Sequence, residues 1–268
     1  MENVMHGGKS EVHHHEVELS VWPLITAVGA FLLPISFMTS FSWGLSSVGI
    51  ILAGVAVVIL IVGLFGWLNE VHAKKEDAGL SKIAILVFIA SEVALFGGLF
   101  AGYLYAMLFT GTWPPANTPE GVPPVMLAIP MTIFLLSSSF TIHTAEDKLA
   151  HGDMGGFKGW LTFTTILGAL FIAFMVYEWH HLIAVENFTV RTNEYGTFFY
   201  TITGFHGSHV IVGLVMQIFC MILAAGAKIG KNRQTLMKVT GLYWHFVDLV
   251  WLLVVSLIYV VPFLKAGQ

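Results

Sequence analysis

The chain has 268 residues, 56% of them hydrophobic and only 10% charged, against about 25% charged in soluble domains, so its composition is that of a membrane protein. A net charge of −4 provides no basic face and excludes nucleic acid as a partner. Cys220 is the single cysteine, which excludes an internal disulfide and every centre built on two thiolates, so a metal held here would need histidine and carboxylate ligands.

Residues 1–20 form a polar tail in which His13, His14 and His15 lie among Glu11, Glu16 and Glu18. It lacks the basic start of a signal peptide and reads as a solvated segment rather than a metal tract. Crossing a bilayer takes ~20 apolar residues of helix, and such runs fall at 21–41, 46–68, 83–109, 123–142, 160–182, 196–227 and 239–263. Seven spans are therefore expected. Pro23, Pro34 and Pro130 do not defeat them, since neighbouring helices can satisfy the backbone groups that proline frees.

The most charged connection, "NEVHAKKEDAGLS" at 69–81, marks the expected break between helices 1–2 (21–68) and helices 3–7 (83–263), with an inner connection at 69–82 and a short tail at 264–268. The stretch "GTWPPANTPEGVPP" at 111–124 is rich in proline and glycine, which predicts an irregular but fairly rigid outer loop. Orientation follows from the basic residues. Lys9, Lys74, Lys75, Lys82, Lys148, Lys158, Lys228, Lys231, Arg233 and Lys238 fall on the side of the N-terminus, and only Arg191 and Lys265 on the other. Positive residues stay inside, so the N-terminus is expected in the cytoplasm and the C-terminus outside.

Ionisable groups at mid-membrane cost ~2.5–3.5 kcal/mol and mark a function or an internal pair. Glu92 lies about 15 Å from the inner end of span 3 at 1.5 Å per residue. Ala90, Ala94, Gly97, Gly98 and Ala101 occupy the opposite face, where small residues allow a close helix approach. The carboxyl is thus expected to face a cleft, a lipid or another subunit, either as a protonated group bonded to a neighbour or as a proton-handling one. In span 6, His206 and His209 share a stripe with Thr203, Gly213 and Gln217. Their i, i+3 spacing suits a metal, but without further ligands interior hydrogen bonding is the simpler reading. His245 and Asp248 lie one turn apart in span 7 and are expected to pair with each other. Glu178, beside His180 and His181, falls near the outer interface.

In order, "WP" at 22–23, "SEV" at 91–93, "WPP" at 113–115, "YE" at 177–178, "TGFHGSHVIVG" at 203–213 and "YWHFVDLVWL" at 243–252 resemble subunit III of the haem-copper terminal oxidases, the cytochrome c oxidase family. The resemblance implies an all-α membrane protein of seven transmembrane helices, divided into helices 1–2 and 3–7 by a V-shaped, lipid-filled cleft. It implies no haem or copper on this chain, those belonging to subunits I and II, and packing against subunit I in support of proton uptake and lipid or oxygen access. Glu92 matches the family's buried carboxylate on the third helix; His206, His209, Tyr243, Trp244, His245 and Asp248 match motif positions without a redox role. Together with Lys74, Lys75 and Glu178, the residues His206, His209, Trp244, His245 and Asp248 are the candidates for lipid-cleft or interior polar positions.

Two stretches depart from the family pattern. "HTAEDKLAHGD" at 143–153 has Glu146 and Asp147 where paired histidines are common, and "WLNEVHAKK" at 67–75 leaves Lys74 and Lys75 as the cations for lipid phosphate. Both departures favour a prokaryotic plasma membrane over a mitochondrial one. The resemblance favours cytochrome c over quinol as the electron donor to the complex. Two readings of other classes are a stand-alone metal enzyme using His206, His209, His245 and Asp248, and a proton transporter organised around Glu92 and Glu178.

Overall fold

The computed structural model describes residues 20–41, 45–73, 80–230 and 234–266. The regular elements among them are helices: α1 (Trp22–Phe41), α2 (Ser46–Ala73), α3 (Leu80–Phe109), α4 (Val125–His151), α5 (Met154–Ala184), α6 (Glu194–Ala225) and α7 (Thr235–Val254). A π-helical segment, Val255–Val260, carries α7 into α8 (Val261–Ala266). Six segments are long and apolar enough to cross a bilayer: Ser46–Trp67, Ile85–Phe109, Val125–His151, Met154–Ala184, Glu194–Ala225 and Thr235–Lys265. The chain is an integral membrane protein. The apolar stretch of α1, Trp22–Phe37, is shorter than these six, so length and hydropathy support six of the seven expected spans.

Helices outrun the apolar runs that announce them. α4 continues to His151 through Glu146, Asp147 and Lys148, because a helix need not stop where the hydrocarbon does. It ends at Gly152, whose φ of 83° few other residues adopt readily. Asp153 then caps α5, its carboxylate accepting from the Gly156 N–H at 2.8 Å. That N–H holds the Asp153 carboxyl below the usual carboxylate range, with Lys148 adding to the effect. The cap's contribution is therefore present above the ordinary carboxylate pKa and is lost as pH falls through the lower folded value.

The chain divides into two compact units, one up to Trp67 and one from Leu68 onward. In the first, α1 and α2 run antiparallel: Trp22 lies against Gly66, Thr26 against Gly63 and Leu60 against Gly29. A Cβ at Gly29 would come within 2.7 Å of the Leu60 nitrogen, so the backbones meet where side chains are missing.

In the second unit α4, α5, α6 and α7 close into a ring, each packed on the next and α7 back on α4, while α3 packs on α6 and α7. Trp244 of α7 occupies the middle and is fully buried. Its Nε1 donates to Ser138 Oγ of α4 at 2.8 Å. Its ring fills the notches left by Gly168 of α5 and Gly213 of α6, where an added Cβ would lie 2.8 Å and 2.6 Å from indole carbons. Lipid is as apolar as leucine, so such close packing and interhelical hydrogen bonds, rather than hydrophobic burial, hold the ring together.

The loop 111–124 is irregular and tied down, as its composition predicts. Trp113 is buried and donates from Nε1 to Tyr103 Oη at 3.0 Å. Asn193 Nδ2 donates to Asn117 Oδ1 and Thr118 Oγ1 at 3.1 and 2.9 Å, joining this loop to the start of α6.

Gly213→Ala is expected to cost about 1–3 kcal/mol by overpacking a ring that cannot move. Cys220, the single cysteine and buried, is a built-in reporter for thermal unfolding with a thiol-reactive dye. Tm should fall for Gly213→Ala and change little for Gly102→Ala, where a Cβ meets only Phe198 at 3.4 Å; equal values for both would mean that the indole is not wedged.

Candidate functional site

A polar contact of α3 joins Glu92 to His209 of α6. His209 Nδ1 lies 2.8 Å from the Phe205 carbonyl, and since a carbonyl only accepts, Nδ1 carries the hydrogen. Nε2 lies 3.0 Å from Glu92 Oε2. One proton lies between these two atoms, on the carboxyl as a neutral pair or on the imidazole as an ion pair. The side chains are 11% and 15% exposed. Tyr243 Oη donates to the His209 carbonyl at 3.1 Å, and the Phe96 ring stands edge-on to the imidazole at 5.2 Å.

The Glu92 carboxyl turns toward α6, where a histidine offers it a hydrogen bond. The opposite face, Ala90, Ala94, Gly97, Gly98 and Ala101, is exposed, and an added Cβ at Gly97 or Gly98 meets nothing within 4 Å among the described residues. Tight approaches in this unit fall instead at glycines such as Gly168, Gly207, Gly213 and Gly241.

His206 and His209 part company. Three residues of helix rotate a side chain by about 300°, leaving the two rings roughly 60° apart, and they meet different neighbours. His206 is fully buried against Phe171 and Trp251, with ring centroids at 5.7 and 5.3 Å. Neither of its nitrogens has a hydrogen-bond partner among the described residues, so the expectation of interior hydrogen bonding is met by His209 and not by His206. Ring contacts hold His206 instead.

His245 and Asp248 do not bond to each other. Ser139 of α4 stands between them: its Oγ bonds Asp248 Oδ2 and lies 2.9 Å from His245 Nδ1. A hydroxyl has one hydrogen, and with the carboxylate taking it Ser139 accepts from the Nδ1–H of His245. The expected pair is therefore a bridged trio reaching from α7 to α4 and back. Side chains one turn apart on a helix need not touch when a neighbouring helix offers a better-placed hydroxyl.

Glu178 is fully buried, and its Oε2 accepts from Tyr259 Oη at 2.8 Å. Tyr259 belongs to the π-helical segment, whose wider turn leaves carbonyls for other donors. Tyr103 Oη donates to the Leu257 carbonyl and Tyr195 Oη to the Ile258 carbonyl, each at 2.7 Å. Trp244 is the central core side chain described above. Lys74 and Lys75 lie outside the described residues.

Among the described residues no three His, Cys, Asp or Glu side chains come together as a metal-binding group; Glu92 and His209 offer two donors and already satisfy each other. Sequence reasoning passed over Ser138 and Ser139. The signal was the run "LLSSSF" at 135–140, three hydroxyls inside an apolar span. Tyr103 gave no such signal, since its partner lies in a segment whose π-helical geometry the sequence does not advertise.

Residues 12–262 match the family model described as cytochrome c oxidase subunit III. A protein of Nocardia farcinica named probable cytochrome c oxidase subunit 3 is 37% identical over 194 residues, covering 72% of this chain and 93% of the relative. One of Mycobacterium leprae with the same name is 35% identical over 192 residues, covering 71% and 92%. The Synechocystis protein named cytochrome c oxidase subunit 3 is 33% identical over 196 residues, covering 71% and 80%. The chain belongs to the cytochrome c oxidase subunit III family.

The Glu92 contact predicts an order of stabilities. Glu92→Gln keeps a donor for Nε2, whereas Glu92→Ala strands a half-buried imidazole at a cost of about 1–3 kcal/mol. Thermal unfolding should place the Gln variant near the parent and the Ala variant below both, and three equal Tm values would sink the bridge.

Proposed function

We propose that the chain is an accessory subunit of a proton-pumping oxidase that reduces oxygen to water, with haem and copper carried by its partner subunits I and II. Subunit I is its main contact, and a cytochrome c rather than a quinol supplies the electrons. The observation that carries this reading is the family match over residues 12–262. The geometry of the polar groups supports it. Glu92, His209, Ser139, His245 and Asp248 are each engaged in helix-to-helix hydrogen bonds, an arrangement suited to holding a bundle rather than to binding a substrate.

The same proposal includes seven spans with the N-terminus in the cytoplasm, bound phospholipid, the division into helices 1–2 and 3–7, and residence in a prokaryotic plasma membrane. The bacterial sources of the similar proteins support the last of these. Glu92, paired with His209, is proposed to support proton uptake during sustained turnover. The divergence of His206 and His209 speaks against a stand-alone metal enzyme, because the two rings do not converge on one ion.

Co-purification in mild detergent tests the assignment: chains and pigments of an oxidase should accompany this one, and a stoichiometric haem or copper signal from the isolated chain would overturn it. In the intact oxidase, Glu92→Gln should leave initial turnover nearly unchanged while the enzyme inactivates faster over many turnovers. Loss of the first turnovers would contradict an accessory role.

A further inference from the structure

We propose that the π-helical segment following α7 is a latch between the Trp113 loop and the buried carboxyl of Glu178. Tyr103 and Tyr195 hold its wide turn; when they let go, the segment tightens into α-helix and withdraws Tyr259 from Glu178. The inference rests on the geometry of this chain and is independent of its place in an oxidase.

The wide turn leads into a proline. A π-helix bonds each N–H to the carbonyl five residues back, and the Val261 N–H reaches the Ser256 carbonyl in this way. Pro262 comes next and has no N–H to give. In the π register its partner would be Leu257, and in the α register Ile258. Those are the two carbonyls that accept from Tyr103 Oη of α3 and Tyr195 Oη of α6, each at 2.7 Å. The proline ring also crowds the carbonyl four residues back, which favours the wider turn. Two phenols from other helices thus bond the segment where its own chain supplies no donor.

One side chain of the loop touches both phenols. Trp113 Nε1 donates to Tyr103 Oη at 3.0 Å, and its ring stands edge-on to Tyr103 at 5.4 Å and to Tyr195 at 5.7 Å. Trp113 is buried, and the loop around it is pinned to Asn193 at the start of α6 through Asn117 and Thr118. A contact that lifts the loop therefore loosens both phenols at once.

The other end of the latch is Glu178. Its Oε2 accepts from Tyr259 Oη at 2.8 Å, while Oε1 has no hydrogen-bond partner among the described residues. Tyr259 lies within the π segment Val255–Val260. Converting the wide turn to an α turn rotates the residues beyond it by about 100°, which carries the phenol off the carboxyl. The bond is present only while the turn is wide.

Fluorine NMR of 3-fluorotyrosine placed at position 259, in the full chain purified with the chains that accompany it, reads the latch. Glu178→Ala marks where the resonance lies once the bond is lost. Pro262→Ala returns an N–H to the segment without touching either phenol, and it is expected to move the resonance from the parent position toward that mark. Tyr103→Phe combined with Tyr195→Phe should move it the same way, and so should Trp113→Ala, acting from the loop. The latch is overturned if Glu178→Ala moves the resonance while Pro262→Ala or the double phenol variant leaves it in place. A parental resonance in Trp113→Ala overturns the loop's control, and an unmoved resonance in Glu178→Ala removes the Tyr259 bond and the proposal with it. Should the double phenol variant fail to fold, Pro262→Ala decides the question by itself.

Discussion

Trp244 can occupy the centre of the α4–α7 ring because Gly168 and Gly213 have no side chains. The indole fits the two notches, and its one polar atom is satisfied by Ser138. α5 and α6 must approach α7 closely for this to occur, and α4 must present a hydroxyl at the same level. That single fit fixes four helices in register without any gain from removing apolar surface from water, which is the problem a membrane bundle has to solve. The polar clusters depend on it: α4 places Ser139 beside Ser138, and α7 places His245 and Asp248 around Trp244.

The rest of the interior follows a similar economy. Polar groups that meet in the bundle are mostly bridged from helix to helix: Glu92 to His209, Ser139 to both His245 and Asp248, and Glu178 to Tyr259. At the end of the bundle that carries the Trp113 loop, the π-helical segment releases carbonyls that Tyr103 and Tyr195 use, and Trp113 in turn bonds Tyr103. Hydroxyls and rings thus supply directed contacts in a medium where burial alone gives little direction.

Length, hydropathy and the residue order of two motifs made the class of this protein legible before any coordinates. Long apolar runs can only be helices in a bilayer, since no other single segment satisfies its own backbone there. The run "GFHGSHVIVG" and the stretch "YWHFVDLVWL" carried the family resemblance, and proline and glycine at 111–124 announced a loop. Helix ends were less legible, because hydropathy measures the membrane while α4 and α5 extend past it into a tight turn at Gly152 and Asp153.

Membrane class, helical segments and many of the buried polar residues were thus readable from residue order, although Ser138 and Ser139 were not singled out. Which of those residues meet is a matter of how the helices pack. Glu92 turned to His209, His245 reached Asp248 through Ser139, and two histidines at ligand spacing pointed to different neighbours. The physical reason is that helical periodicity fixes a side chain's direction on its own helix, whereas a hydrogen bond or a glycine notch depends on the rotation and depth of the helix opposite. Those are set by packing among distant segments, Gly168, Gly213 and Trp244 above all.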